Sequence, residues 1–95
     1  MRNGRYIDNA GTVRRYLNDQ LHRIDGPAVE WANGTRMWYL NGQRHRTDGP
    51  AFECADGYYA WYVNGKHFKF ADWLEHLNTT PETRTLLMLK WSSNI

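Results

Sequence analysis

Residues 24–46 read IDGPAVEWANGTRMWYLNGQRHR, and residues 47–69 read TDGPAFECADGYYAWYVNGKHFK. Laid over one another without a gap, they match Asp25-Gly26-Pro27-Ala28 to Asp48-Gly49-Pro50-Ala51, Trp38-Tyr39 to Trp61-Tyr62, and Asn41-Gly42 to Asn64-Gly65. Asn33-Gly34 falls on Asp56-Gly57. Residues 1–23, MRNGRYIDNAGTVRRYLNDQLHR, enter the same register more loosely. An ungapped internal period of this length is the signature of a repeat architecture.

Each of the two close repeats, 24–46 and 47–69, carries two Asn/Asp-Gly dipeptides. A type I′ turn needs φ > 0 at both central residues, which Asn and Gly tolerate, so these dipeptides mark tight hairpins. The segments between them, 35–40 and 58–63, are rich in aromatic and β-branched residues and suit strands. Proline in the Asp-Gly-Pro corner has no ladder donor and belongs at a strand start between repeats. The pattern predicts about three strands per repeat in an antiparallel meander.

A two-residue turn at Asn33-Gly34 sets Trp31 opposite Arg36, Val29 opposite Trp38 and Glu30 opposite Met37. A second such turn at Asn41-Gly42 sets Trp38 opposite His45 and Tyr39 opposite Arg44. One face then gathers Val29, Trp31, Trp38, Leu40, Phe52, Cys54, Tyr59, Trp61 and Val63 as the core. The other gathers Glu30, Met37, Tyr39, Arg44, Glu53, Tyr62 and His67, and is half polar and wet. Arg15 stands where Trp38 and Trp61 stand, as in an atypical terminal repeat.

The chain changes character after residue 69. All eight Gly precede residue 66. Phe70, Trp73, Leu74 and Leu77 are spaced as one face of a short helix. Thr80-Pro81-Glu82 is a helix start, with Thr as N-cap, and Leu86, Leu87, Met88, Leu89 and Trp91 give a second helix apolar over much of its circumference. These two helices are expected to cap the sheet, the other reading being a helix that docks another chain. The fold class is therefore α+β: an antiparallel β-meander of three 23-residue hairpin repeats (1–23, 24–46, 47–69) with a C-terminal two-helix cap (70–95), in a single domain of 95 residues.

The Asn41-Gly42-Gln43-Arg44-His45 segment, preceded by Tyr39-Leu40 and followed by Asp48-Gly49-Pro50 and Asp56-Gly57, resembles a MORN-type repeat. It is more closely similar to the W-Y-x-N-G-x-x-H-R-x-D-G-P-A repeats of small uncharacterised phage proteins. The sequence departs from standard MORN repeats in having Arg46 after the histidine, where those place Gly, and in using Asp-Gly-Pro. The resemblance implies a β-meander, and MORN arrays are associated with protein interaction, dimerisation and sometimes lipid headgroups. The lipid association is not carried over.

Composition narrows the function. Twelve Lys+Arg against ten Asp+Glu give +2, too weak a balance to imply a nucleic-acid or membrane partner by itself. Nine of the twelve cations are Arg, which favours flat, stacking or bidentate contacts. A single cysteine, Cys54, forms no intramolecular disulfide, and no run approaches the roughly 18 apolar residues of a membrane span. These features point to a soluble protein of the cytoplasm, with no membrane partner.

Candidate chemistry is thin. His22/Asp25 and His45/Asp48 form two H-x-x-D pairs, not an established zinc spacing. Each His is expected beside Trp38 or its equivalent, bonding the adjoining Asp-Gly-Pro corner. Glu30 and Glu53 are repeat-equivalent carboxylates, but three strands of separation would place them roughly 14 Å apart, too far for a glycosidase pair. Cross-strand contacts with Arg36, Arg44 or Arg46 are expected instead. Neither a nucleophile arrangement nor a phosphate loop emerges, so the reading is a non-enzyme without cofactor or metal. What remains is a surface of Tyr16, Tyr39, Tyr62, Arg44, Met37, His67 and Glu30, because Tyr and Arg are common interface anchors. The phage-like repeat implies an accessory protein that occludes a bacterial host or defence-system protein. Two alternatives stay open: a sheet face that stacks single-stranded nucleic acid, and a self-assembling repeat protein that forms a homodimer.

Overall fold

The computed structural model describes residues 1–92 of the 95, so the last three residues of the expected cap lie outside the described part. The first repeat forms β1 (Gly4–Ile7), β2 (Val13–Leu17) and β3 (Gln20–Leu21). The second forms β4 (Val29–Glu30), β5 (Arg36–Met37), β6 (Tyr39–Leu40) and β7 (Gln43–Arg44), with β5 and β6 separated only by Trp38. The third forms β8 (Phe52–Glu53), β9 (Tyr59–Val63) and β10 (Lys66–Phe68). Helices α1 (Phe70–Leu77) and α2 (Pro81–Trp91) follow. The expected α+β meander with two C-terminal helices is thus observed: every strand pair is antiparallel, and the main path runs β1-β2-β4-β5-β8-β9-β10. The β6–β7 hairpin stands off this path as its own pair.

The two dipeptide turns of each repeat are physically different. At Asn41-Gly42 both residues have positive φ (49° and 80°), as at Asn64-Gly65 (50° and 81°), which makes two-residue turns of the I′ kind. At Asn33-Gly34 only Gly34 is left-handed (φ 95°). The Trp31 N–H donates to Thr35 O at 2.8 Å, so the loop holds three residues, Ala32, Asn33 and Gly34. The Asn33 side chain accepts from the Thr35 N–H at 2.9 Å and fixes it. Asp56-Gly57 repeats the arrangement through Cys54 N–H to Tyr58 O at 2.8 Å.

That extra residue shifts the expected register by one: Glu30 lies opposite Arg36 and Val29 opposite Met37. A one-residue slip exchanges the faces of the strand it affects. Val29 and Phe52 therefore join the face of Met37, Tyr39, Arg44, Tyr62 and His67, while Glu30 and Glu53 cross to the face of Arg36 and Trp38. Trp31, expected in the core, is 43% exposed at the loop. The Tyr39–Arg44 pairing, set by the true two-residue turn, is as expected.

Successive repeats are joined by one set of contacts, reproduced 23 residues later. The Gly42 N–H donates to Leu21 O at 2.9 Å, the Arg23 N–H to Tyr39 O at 3.1 Å, and the Asn41 N–H to His22 Nδ1 at 3.0 Å. At the next junction the same roles fall to Gly65 with Arg44 (2.8 Å), Arg46 with Tyr62 (3.1 Å), and Asn64 with His45 Nδ1 (3.0 Å). The histidines thus bond the following turn, and not the Asp-Gly-Pro corner. They do so because a neutral imidazole offers an acceptor that the backbone of a type I′ turn otherwise lacks.

The main core lies at the C-terminal end. Trp61 packs against Phe70, Trp73 and Trp91 at centroid distances of 4.7, 4.7 and 5.8 Å, with Val63, Leu74 and Leu87 completing the cluster. Thr80 caps α2 by accepting the Thr83 N–H, as its position before Pro81 predicts. Leu87 and Trp91 of α2 turn inward, whereas Leu86, Met88 and Leu89 are exposed.

Arg46 ties this cap to the sheet. Its guanidinium donates to Asp48 at 2.7 Å, to Pro50 O at 3.1 Å and to Glu53 at 2.5 Å, and lies 3.8 Å above the Trp38 ring. The side chains of Arg46 and Glu53 are only 11% and 12% exposed, against 28% and 37% for Arg23 and Glu30 one repeat earlier. Removing one partner of a buried pair costs about 3–5 kcal/mol, since it strands the other charge, whereas a solvated pair contributes at most about 1 kcal/mol. Arg46→Met is therefore expected to lower unfolding stability several-fold more than Arg23→Met, measured by urea denaturation of the two variants side by side.

Candidate functional site

Three tyrosines recur at one repeat position, and each meets a different cross-strand partner: Tyr16 faces Leu21, Tyr39 faces Arg44, and Tyr62 faces His67. The strands place them on the sheet face opposite the Trp61–Trp73 cluster, because Tyr62 alternates with Trp61 and Val63 along β9.

Arg44 knits two of the three together. Its Nε donates to the Tyr39 hydroxyl at 3.2 Å and its Nη1 to the Tyr62 hydroxyl at 3.2 Å. The guanidinium lies 5.2 Å from the Tyr62 ring centroid and 5.7 Å from that of Phe52. Hydrogen bonding to Tyr39 first, and also to Tyr62, holds the Arg44 pKa above its ordinary value despite partial burial. The His67 ring sits 5.0 Å from Tyr62 and extends the patch. Tyr39, Arg44, Tyr62 and His67 thus form one continuous aromatic and cationic surface.

The other expected members separate from it. Tyr16 belongs to a neighbouring group, with Arg2 4.1 Å above its ring and Tyr6 at 5.6 Å. Met37 is on the same face but 9% exposed, held between Val29 and Phe52, and offers little contact area. Glu30 lies on the opposite face, where it pairs with Arg15 at 2.6 Å and Arg23 at 3.6 Å. Both corrections follow from the three-residue loop. Phe52, expected on the core face, is brought by the same slip to the tyrosine face beside Arg44.

The carboxylate pair is also rearranged. Glu30 and Glu53 flank Arg36 in one row across β4, β5 and β8, two strands apart and not three. Glu53 is held from two sides, by Arg46 and by Arg36 at 3.1 Å, and Arg44 takes no part. Among the described residues no three His, Cys, Asp or Glu side chains come together as a metal site, and no helix is long and apolar enough to cross a membrane. Cys54 is a half-buried free thiol. Compared with protein-family models, curated proteins and solved structures, the chain matches none.

His45 gives this scaffold a pH dependence. Its Nδ1 accepts the Asn64 N–H, which requires the neutral ring, and burial pushes its pKa below the usual 6.5. Below that value the unfolded chain binds a proton that the folded protein resists, so stability falls as pH drops from the unfolded toward the folded pKa. Thermal melts between pH 7.5 and 5.5 are expected to show a falling midpoint, and His45→Gln, which keeps an acceptor without titrating, is expected to flatten that slope. An unchanged slope in the variant would remove His45 from this role.

Proposed function

We propose that the chain is a non-enzymatic protein-binding module that uses the Tyr39–Arg44–Tyr62–His67 surface. The observation that carries this is the Arg44 guanidinium bound to hydroxyls from two successive repeats. Tyrosine offers a large, amphipathic contact with few rotatable bonds, and its ordering entropy is already spent when the ring is held in the free protein. Each hydroxyl that accepts from Arg44 keeps its own proton to donate to a partner. A central Arg flanked by Tyr has the composition of an interaction hot spot.

The similarity of the repeats to those of phage proteins extends the proposal. In this reading the chain is a phage-encoded accessory protein that acts in the bacterial cytoplasm. It binds a host or anti-phage defence protein and inhibits or redirects it by occlusion, in the manner of an anti-CRISPR protein. A second reading, single-stranded nucleic-acid binding, draws on the same stacked Tyr62 and His67 rings beside a guanidinium.

Capture from phage-infected bacterial lysate on immobilised wild type and on the Tyr39→Ala/Tyr62→Ala variant tests both. A stoichiometric protein complex is expected, weakened about 10³-fold in the double variant, since each hot-spot truncation costs about 2 kcal/mol or more and about 4 kcal/mol makes roughly three powers of ten. Equal binding by the two would sink the assigned surface. The second reading instead requires oligonucleotide affinity that drops steeply with salt.

A further inference from the structure

On the other face of the sheet a cavity of about 480 Å³ opens at the junction of the first and second repeats. Arg23, Ile24, Asp25, Trp38, Leu40 and His45 form most of its wall. Moved forward by one 23-residue period, these positions become Arg46, Thr47, Asp48, Trp61, Val63 and Phe68. Apart from Thr47, those are the residues on which the C-terminal helices sit. Trp61 and Val63 belong to the cluster with Trp73, Leu87 and Trp91, and Phe68 packs against it. Trp91 places its ring 5.6 Å from the Arg46 guanidinium and donates its indole N–H to Asp48 O at 3.2 Å. The cavity is the same seat, one repeat earlier.

Its polar frame stands ready in the same form. Arg23 donates to Asp25 at 2.9 Å and to Pro27 O at 3.2 Å, matching Arg46 with Asp48 and Pro50 O at 2.7 and 3.1 Å. At Gly49 an added Cβ would lie 2.8 Å from the Trp91 ring, whereas at Gly26 the nearest atoms are those of Arg23. The two seats are also continuous, because Arg46 and Asp48 line the cavity as well as hold α2. They differ in capacity. Trp38 already carries Arg46 on its ring at 3.8 Å, so the open seat takes one indole where the filled one takes two.

We propose that this cavity is a second docking site, independent of the tyrosine surface, for a partner protein's amphipathic helix that presents a single tryptophan. The indole lies over Arg23 and against Trp38 and Leu40, its N–H donates to Asp25 O, and the helix flank covers Ile24, which is 86% exposed at the rim. The occupant is another protein and not a second copy of this chain, whose helix-borne tryptophans, Trp73 and Trp91, are 0% and 7% exposed and committed to their own seat, while the exposed Trp31 sits in a loop and not on a helix. At about 480 Å³ the cavity falls in the range of small-ligand pockets, about 300–1,000 Å³, which leaves room for one indole side chain while the helix itself stays at the rim.

The test is an NMR titration of the ¹⁵N-labelled full chain with N-acetyltryptophanamide, and then with a peptide of residues 81–92 as a tryptophan-bearing helical probe. Saturable shifts are expected at the amides of residues 23–26, 38–40 and 45–48 and at the Trp38 indole N–H. Ile24→Asp, at an exposed position that leaves the core untouched, is expected to weaken the peptide, whose helix flank covers Ile24, at least fivefold. Tyr39→Ala/Tyr62→Ala is expected to leave both probes unchanged, so failure of the tyrosine surface and failure of this site are read separately. Absent shifts, shifts centred on Tyr39 and Tyr62, or peptide affinity that survives Ile24→Asp would overturn the proposal. So would concentration-dependent shifts of the same residues without probe, which would assign the seat to a second copy.

Discussion

The Arg46 guanidinium is a largely desolvated cation, its side chain 11% exposed, at the junction of two repeats and a helical cap, and its neutralisation constrains what surrounds it. Asp48 and Glu53 of the third repeat supply the charge, Pro50 O takes a further N–H, and Trp38 of the second repeat and Trp91 of α2 lie over the plane. A buried charge is tolerated only when its donors are satisfied. The corner after Asp48 must therefore turn as it does, and β8 must present Glu53 inward. The backbone of the same residue continues the logic: its N–H donates to Tyr62 O, and its carbonyl accepts the Trp73 indole at 3.1 Å. One residue thus sets the repeat spacing and the seat of α1.

The same joint explains why the ends differ from the middle. At the first junction Arg15 replaces Trp38 as the neighbour of the clasp, and it meets Glu30 directly, so a solvated ion-pair group takes the place of a stacked one. At the other end Phe68 replaces the histidine that would receive a fourth repeat, and Lys69 replaces the clasping arginine. Phe68 packs on the helical cluster instead. A repeat array needs termini that stop propagation. Here the stop is made by changing the two residues that build the joint.

Much of this order was legible because the repeat writes each rule twice. The meander, the Tyr39–Arg44 pairing and the Thr80 cap of α2 follow from local chemistry, and the structure has them. The register at Asn33-Gly34 was not legible from the dipeptide, since Asn-Gly serves both a two-residue I′ turn and a three-residue loop with one left-handed glycine. Charge carried the missing signal: only the shifted register sets Glu30 and Glu53 beside Arg36, while the unshifted one sets Glu30 against Met37. That single slip misplaced Met37 and Glu30 within the candidate surface and hid Phe52. The α2 sequence is apolar over much of its circumference, yet only Leu87 and Trp91 are buried, because the helix meets the rest of the fold along a single line, while Leu86, Met88 and Leu89 face outward.

The strand that ends the second repeat decides how the two faces relate. Arg44 points to the tyrosine side, where it bonds Tyr39 and Tyr62, and Arg46, two residues on, serves the opposite side after the chain leaves β7. His45 between them lines the open cavity and anchors the next turn through Asn64. Three consecutive residues therefore position an aromatic patch, a repeat joint and a tryptophan seat. The His45–Asn64 bond and the Arg46 clasp fix the backbone just after Arg44, and the Asn41-Gly42 turn, bonded to His22 and Leu21, fixes it just before, so the joint that builds the array also positions the patch. Under the proposed binding role, a partner on Tyr39 and Tyr62 would meet side chains already held by Arg44 in the free protein, which would leave little ordering to be done on binding.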